Sequence, residues 1–199
     1  MGVLQRIALA YGLGSMIILG FRHKIIPYIT LGILLLYWAI IWYFGGKDPY
    51  GVESNVGRHI DIFILGSSHL WTGKGIPFDP EGVMSTLPAI STVLIGFLCG
   101  RFILKNLKTE SQWIIKFLLS GVVLIITGLI WGIFFPINKP LWTSSYVAYT
   151  AGLAILVWSA LYFLIDILKL NRFFTFFKVF GVNPLFAFAH YAKGTLSSR

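Results

Sequence analysis

The sequence predicts an all-α fold, a polytopic membrane helix bundle of about six transmembrane helices with one long outer loop. Three observations carry this. Hydrophobic residues make up 57% of the 199-residue chain and charged residues only 12%, about half the charged share of a soluble domain, and the mean hydropathy is +0.81. So few charges cannot coat a compact water-soluble fold, but they suit a protein whose outside meets lipid. The apolar residues also fall into runs of about 20, long enough at 1.5 Å per residue to cross a hydrocarbon core of roughly 30 Å. Finally, the basic residues behind the net charge of +9 sit in short loops between these runs. There they set membrane orientation, and a nucleic-acid partner is excluded.

The predicted spans run approximately over Val3–Phe21, Ile25–Phe44, Gly82–Leu104, Trp113–Phe135, Trp142–Ile165 and Phe173–Ala192. Lys178, Gly181 and Pro184 interrupt the sixth, and a start near Asn183 would leave it short of a full crossing. Loops following the first, third and fifth spans carry Arg22, Lys24, Arg101, Lys105, Lys108, Lys116, Lys169, Arg172 and Lys178. The opposite side carries Arg6, Lys47, Arg58, Lys74 and Lys139. This excess makes the first side cytoplasmic and places the N-terminus outside. No charged n-region or cleavage site marks a signal peptide, so upstream spans are expected to precede this segment. Residues 1–199 therefore read as a single, partial transmembrane domain. Cys99, the single cysteine, lies in an apolar run and excludes an internal disulfide or a cysteine-based zinc site.

The outer loop, residues 45–81, holds Asp48, Glu53, Asp61, Asp79 and Glu81, five of the seven acids, together with His59 and His69. A loop this long in a compact protein is functional or disordered. Its apolar residues, among them Tyr50, Ile60, Phe63 and Trp71, argue for order, with a short amphipathic helix near Val56–Leu65. Asp79-Pro80-Glu81-Gly82 precedes the third span as a helix start, with Asp79 capping free N–H groups and Pro80 in the first turn. Functionally, Asp79 and Glu81 are two carboxylates at the membrane surface, able to orient a base or bind an amine. His69 suits acid–base chemistry near neutral pH or simply anchors a loop. His59 and Asp61 make at most half a metal site, and no complete ligand set accompanies them. Arg6 either snorkels to the interface or recognises an anion. Asn138 and Lys139 lie in a tight outer turn, Pro136–Trp142, that faces the same side. Gly96-x3-Gly100 and Gly128-x3-Gly132 permit close helix packing.

Taken together, four stretches resemble the heparan-alpha-glucosaminide N-acetyltransferase family, its bacterial relatives included. They are Gly2-Val3-Leu4-Gln5-Arg6; the loop series Ile60-Asp61, Leu65-Gly66, His69-Leu70-Trp71 and Asp79-Pro80-Glu81-Gly82; the turn Pro136 to Tyr146; and Gly181-Val182-Asn183-Pro184-Leu185. The resemblance runs from Gly2 to about Phe188. It implies a membrane-bound acyltransferase in a bacterial cytoplasmic (inner) membrane. Such an enzyme takes acetyl from cytoplasmic acetyl-CoA and passes it to an amino sugar or glycan outside. The family's acetyl-accepting histidine belongs to an outer loop upstream of the Gly-Val-Leu-Gln-Arg element, so His69 matches a later motif. This chain alone is expected to show neither acetylation nor hydrolysis.

Acetyl transfer needs a base for the ammonium proton and a polar pocket for the tetrahedral oxyanion. The expected catalytic candidates are Asp79, Glu81 and His69. Asp61, Asn138, Lys139 and Arg6 are the expected substrate-binding candidates, with acetyl-CoA as acyl donor and no metal. A multi-pass secondary transporter and a non-catalytic membrane subunit are the alternatives, and a homo-oligomer stays open. Transporters place ionisable residues near the midplane, whereas here the middles of the first five spans lack charge.

Overall fold

A computed structural model describes residues 2–46, 48–73, 75–106, 113–170 and 181–182. Its helices are α1 (Val3–Gly20), α2 (Ile26–Phe44), α3 (Val56–Leu65), α4 (Val83–Asn106), α5 (Trp113–Phe134) and α6 (Ser144–Tyr162), with a 3-10 turn at Ser67–His69 and a π-helical turn at Phe163–Ile167. Among the described residues there is no strand. Helices α1, α2, α4, α5 and α6 with its π-helical continuation are long and apolar enough to cross a membrane. The chain is an integral membrane protein of the helical-bundle type. These five helices match the first five predicted spans and differ from them only at their ends, and α3 is the expected amphipathic helix. The sixth expected span, Phe173–Ala192, lies outside the described residues except for Gly181 and Val182.

The described residues fall into two compact units, divided between Leu156 and Val157. In the first, α4 packs against both α1 and α2. Ala10, Ile26, Ala89, Ile90 and Leu94 form one buried cluster there, and Tyr37, Ile41, Met84 and Phe135 form a second. Many large apolar side chains lie on the exterior. Met16, Leu19, Tyr28 and Ile133 are exposed, while Thr30, Ser85, Ser91, Ser144 and Ser145 are buried. Water would penalise so many exposed apolar side chains, whereas lipid does not. The buried hydroxyls are spent on backbone carbonyls, as when Ser144 donates to Leu34 at 2.7 Å and Ser145 to Phe135 at 2.5 Å.

Small residues set how closely α5 and α6 approach. A Cβ at Gly121 would stand 3.1 Å from the Gly152 carbonyl oxygen, and one at Gly152 would stand 2.6 Å from that of Gly121. Gly128 of the expected Gly128-x3-Gly132 pair lies against Tyr149 in the same seam, whereas Gly96 and Gly100 have nothing within 4 Å. In the second unit, the Trp158 and Tyr162 rings stack at 5.4 Å at the end of α6. The π-helical turn that follows closes with a Leu168 N–H bond to Phe163 at 2.9 Å, and Asp166 is exposed, as an interfacial charge should be.

Candidate functional site at the start of α4

The site begins with α3. Asn55 caps this helix, accepting the Gly57 N–H at 2.8 Å while its amide donates to the Pro49 carbonyl at 3.0 Å. Residues four apart share a helix face, so Gly57 and Asp61 both turn inward and are buried. Val56 and Ile60 pack beside them on the Tyr37–Ile41–Met84 cluster. His59 is exposed. Two positions along a helix point to different faces, so His59 and Asp61 do not join as a metal pair.

Asp61 is 4% exposed. Its Oδ1 accepts the N–H of Val83 at 2.8 Å and, more weakly, that of Met84 at 3.4 Å. These are orphan donors of the first turn of α4, which has no earlier carbonyl to pair with them. The carboxylate that caps α4 thus comes from another helix, and this corrects the expectation that Asp79 would do so. Asp79 Oδ1 instead accepts the Glu81 N–H at 2.9 Å, closing the turn before the helix. Gly82 has no room for a side chain, because a Cβ there would overlap the Asp61 carboxylate. Burial pushes the Asp61 carboxyl up to about 6; the two N–H bonds oppose that rise and the nearby Asp79 adds to it.

The turn at residues 79–82 is braced from α1 and from the start of α6. Arg6 donates from Nη1 to the Pro80 carbonyl at 2.9 Å. Its guanidinium carbon stands 3.9 Å from the Trp142 ring centroid. Arg6 is 8% exposed, so it does not snorkel into water. Glu81 and Asp79 supply negative field at its charge. Trp142 has φ +52, a left-handed conformation that costs an ordinary residue roughly 1–2 kcal/mol. Three contacts hold it there: the cation on its face, Tyr146 edge-on at 5.2 Å, and its Nε1 donating to Thr92 at 3.3 Å.

Between α3 and these turns lies a narrow cleft whose free volume is about 10 Å³, room for roughly one water molecule. Its polar wall is Tyr37, Asn55, Arg58, Asp61, Asp79 and Ser85, under the Pro140–Leu141 turn. Tyr37 donates to the Leu141 carbonyl at 2.6 Å and ties that turn to α2. Arg58 donates from Nε to the Pro77 carbonyl at 2.7 Å and from Nη1 to the backbone carbonyl of Glu53 at 3.2 Å. Ser85 donates to Pro80 and Gly82, each at 3.0 Å. Two buried carboxylates, one arginine and several oriented carbonyls therefore share a small volume. Such a net-acidic cleft favours a cation or a hydrogen-bond donor over an anion.

Of the sequence-predicted residues, Asp61 and Asp79 meet in this wall, and Arg6 and Glu81 stand beside the same turn. Asn138 builds its own turn, accepting the Leu141 N–H at 3.2 Å, and its N–H donates to Thr143 Oγ1 at 3.0 Å. Lys139 is exposed. His69 is exposed too, and its Nδ1 bonds the Leu65 carbonyl at 2.9 Å. A carbonyl can only accept, so that nitrogen is the donor, and in the neutral ring the lone pair then lies on Nε2. Sequence reasoning passed over Tyr37, Arg58, Ser85 and Trp142. Arg58 was recognisable from its position three before Asp61 on an amphipathic helix; Tyr37, inside an apolar run, gave no such signal.

No protein-family model matches the chain. Two curated proteins are similar to it. The heparan-alpha-glucosaminide N-acetyltransferase of Mus musculus is 29% identical over 137 residues, 61% of this chain and 21% of its own length. The Homo sapiens protein of the same name is 26% identical over 141 residues, 62% of this chain and 21% of its own length. These matches support a family relationship. The chain thus spans about a fifth of the length of these relatives.

Proposed function

We propose that this chain is part of a membrane-bound acyltransferase that passes an acetyl group from cytoplasmic acetyl-CoA to an amino sugar at the outer surface. One observation carries the reading: Asp61 and Asp79, 18 positions apart in sequence, share one outer cleft with Arg58. The likeness to two N-acetyltransferases supports it. An acetyl transfer forms a C–N bond, breaks a C–S or acyl–enzyme bond, and moves one proton from the attacking ammonium to a base. In this reading Asp79 and Glu81 orient the amine. His69 offers its unprotonated Nε2, and Asp61 acts by positioning the start of α4. Arg6 holds the turn that carries Asp79, so it positions the acceptor end. Asn138 shapes the opposite rim, and Lys139 stands at its aqueous edge. Acetyl-CoA is the donor, and the bilayer is the barrier that the acetyl group crosses.

The test is acetylation in liposomes, with radiolabelled acetyl-CoA inside and glucosamine outside. It is run on this chain alone and on the chain joined to the reading frame upstream of Met1. Labelled N-acetylglucosamine from the longer protein, lost in Asp79→Asn with insertion intact, supports the reading. Solute flux with no labelled sugar from either protein replaces it with a transporter.

A further inference from the structure

A second cavity, an open groove of about 370 Å³, lies at the other end of the first unit. It lies where α2 and α5 begin and α4 finishes, the end that the basic loops mark as cytoplasmic. Its walls run from Pro27 to Leu34 on α2 and from Lys116 to Leu124 on α5, a length of about 11 Å at 1.5 Å per residue. Leu98 and Phe102 of α4 complete it. Phe102 and Phe117 stack at 5.6 Å, and Lys116, exposed, stands next to that pair.

The cavity offers almost nothing to a polar ligand below its rim. Thr30 donates to the Ile26 carbonyl at 2.8 Å and Ser120 to the Phe117 carbonyl at 2.6 Å, so both hydroxyl protons are committed to their own helices. A ligand with buried amides, such as a pantetheine arm, would leave its carbonyl oxygens without a donor at a cost of roughly 1–3 kcal/mol each. An alkyl chain has no such groups. Lys116 stands at the rim, and Arg22, Lys24, Arg101 and Lys105 lie at the same end of the bundle by their places in the α1–α2 loop and the last turns of α4, which gives that end a charge that complements an anionic headgroup.

We propose that this groove holds one acyl chain of an anionic phospholipid from the cytoplasmic leaflet, with its phosphate paired to Lys116. The site is separate from the outer cleft and does not depend on the acyltransferase reading. A juxtamembrane lysine adds about fivefold to the binding of an anionic lipid, and the groove adds shape to that charge.

The experiment uses the whole chain purified in detergent, with phosphatidylglycerol and phosphatidylcholine as probes. Native mass spectrometry reads retained lipid, and the alkylation rate of Cys99, which lines the groove, reads occupancy. Phosphatidylglycerol should be retained in preference to phosphatidylcholine and should slow Cys99 alkylation. Lys116→Gln should remove the preference, Lys116→Arg should keep it, and Leu98→Trp should lower retention of both lipids. Equal retention of the two lipids by the unaltered chain would overturn the proposal. So would protection of Cys99 by acetyl-CoA or by dimerisation in place of phosphatidylglycerol.

Discussion

The carboxylate of Asp61 sits 2.8 Å from the backbone nitrogen of Val83, 22 positions further along the chain. One side chain from a short helix outside the spans thus supplies the cap of a membrane-spanning helix, and the long loop between α2 and α4 is tied to the bundle. A helix-end cap is ordinarily worth about 1 kcal/mol. Here it also fixes where the turn carrying Asp79 must lie.

Asp61 gives a pH dependence with a definite sign. Its carboxyl ionises at about 6 in the fold against 3.8 ordinarily, so between those values the folded chain holds more protons than the unfolded one. Stability therefore falls as pH rises from about 4 to about 6 and is flat above, by up to roughly 3 kcal/mol at 1.36 kcal/mol per unit. Thermal unfolding in detergent across pH 4 to 7 should show this slope in the unaltered chain and lose it in Asp61→Asn. An identical slope in both would assign it to other groups.

Gly82→Ala should be more damaging than a usual glycine replacement in a loop. The added methyl overlaps the Asp61 carboxylate, so either α3 moves away or the Val83 bond breaks. A loss of about 2–3 kcal/mol is expected from overpacking together with a broken cap. The double variant Gly82→Ala/Asp61→Ala should recover part of it, since the clash is gone. Denaturant midpoints of the four proteins in the cycle decide the matter.

Arg6→Lys should not substitute for arginine. A lysine keeps the charge but gives up the planar contact with Trp142 and the directed bond to Pro80. Released from the cation, Trp142 should leave its left-handed conformation, and with it the start of α6 should loosen. Hydrogen exchange at residues 142–146 should rise in Arg6→Lys and more so in Arg6→Ala. Unchanged protection in both variants would show that the brace is dispensable.

Tyr37→Phe removes one hydroxyl whose bond to the Leu141 carbonyl is buried. The carbonyl is then left unpaired, at an expected cost of about 1–3 kcal/mol. The packing of the ring on Phe135, 6.1 Å away, is kept, so the helical content should stay the same while the unfolding temperature drops. An unfolding temperature equal to that of the unaltered chain would mean that the Pro140–Leu141 turn finds another donor.

The sequence was informative wherever a periodic pattern or a composition decides. Spans such as Trp113–Phe134 are continuous apolar runs with few alternatives to a membrane helix, and α3 is the short amphipathic helix expected near Val56–Leu65, with Val56 and Ile60 on its packed side and His59 exposed. It was less informative about partners. Asp79 stands directly before α4 and reads as its cap, yet Asp61 holds the role, because a fold can bring a carboxylate from 22 positions away as easily as from four. Asn138 reads as a polar group available to a ligand. Its side chain is spent on the turn that carries it, an economy that no spacing reveals.

The sequence by itself determined that this chain lives in a bilayer, how many helices of its described part can cross, and which loops face each other. Those properties follow from apolar length and from the distribution of lysine and arginine, which act locally. Only the tertiary structure decided that Asp61, Asp79, Arg58 and Tyr37 line one cleft, that Arg6 lies on Trp142, and that Gly82 has no space for a methyl. Such relations depend on distances between segments far apart in the chain, and packing alone sets those distances.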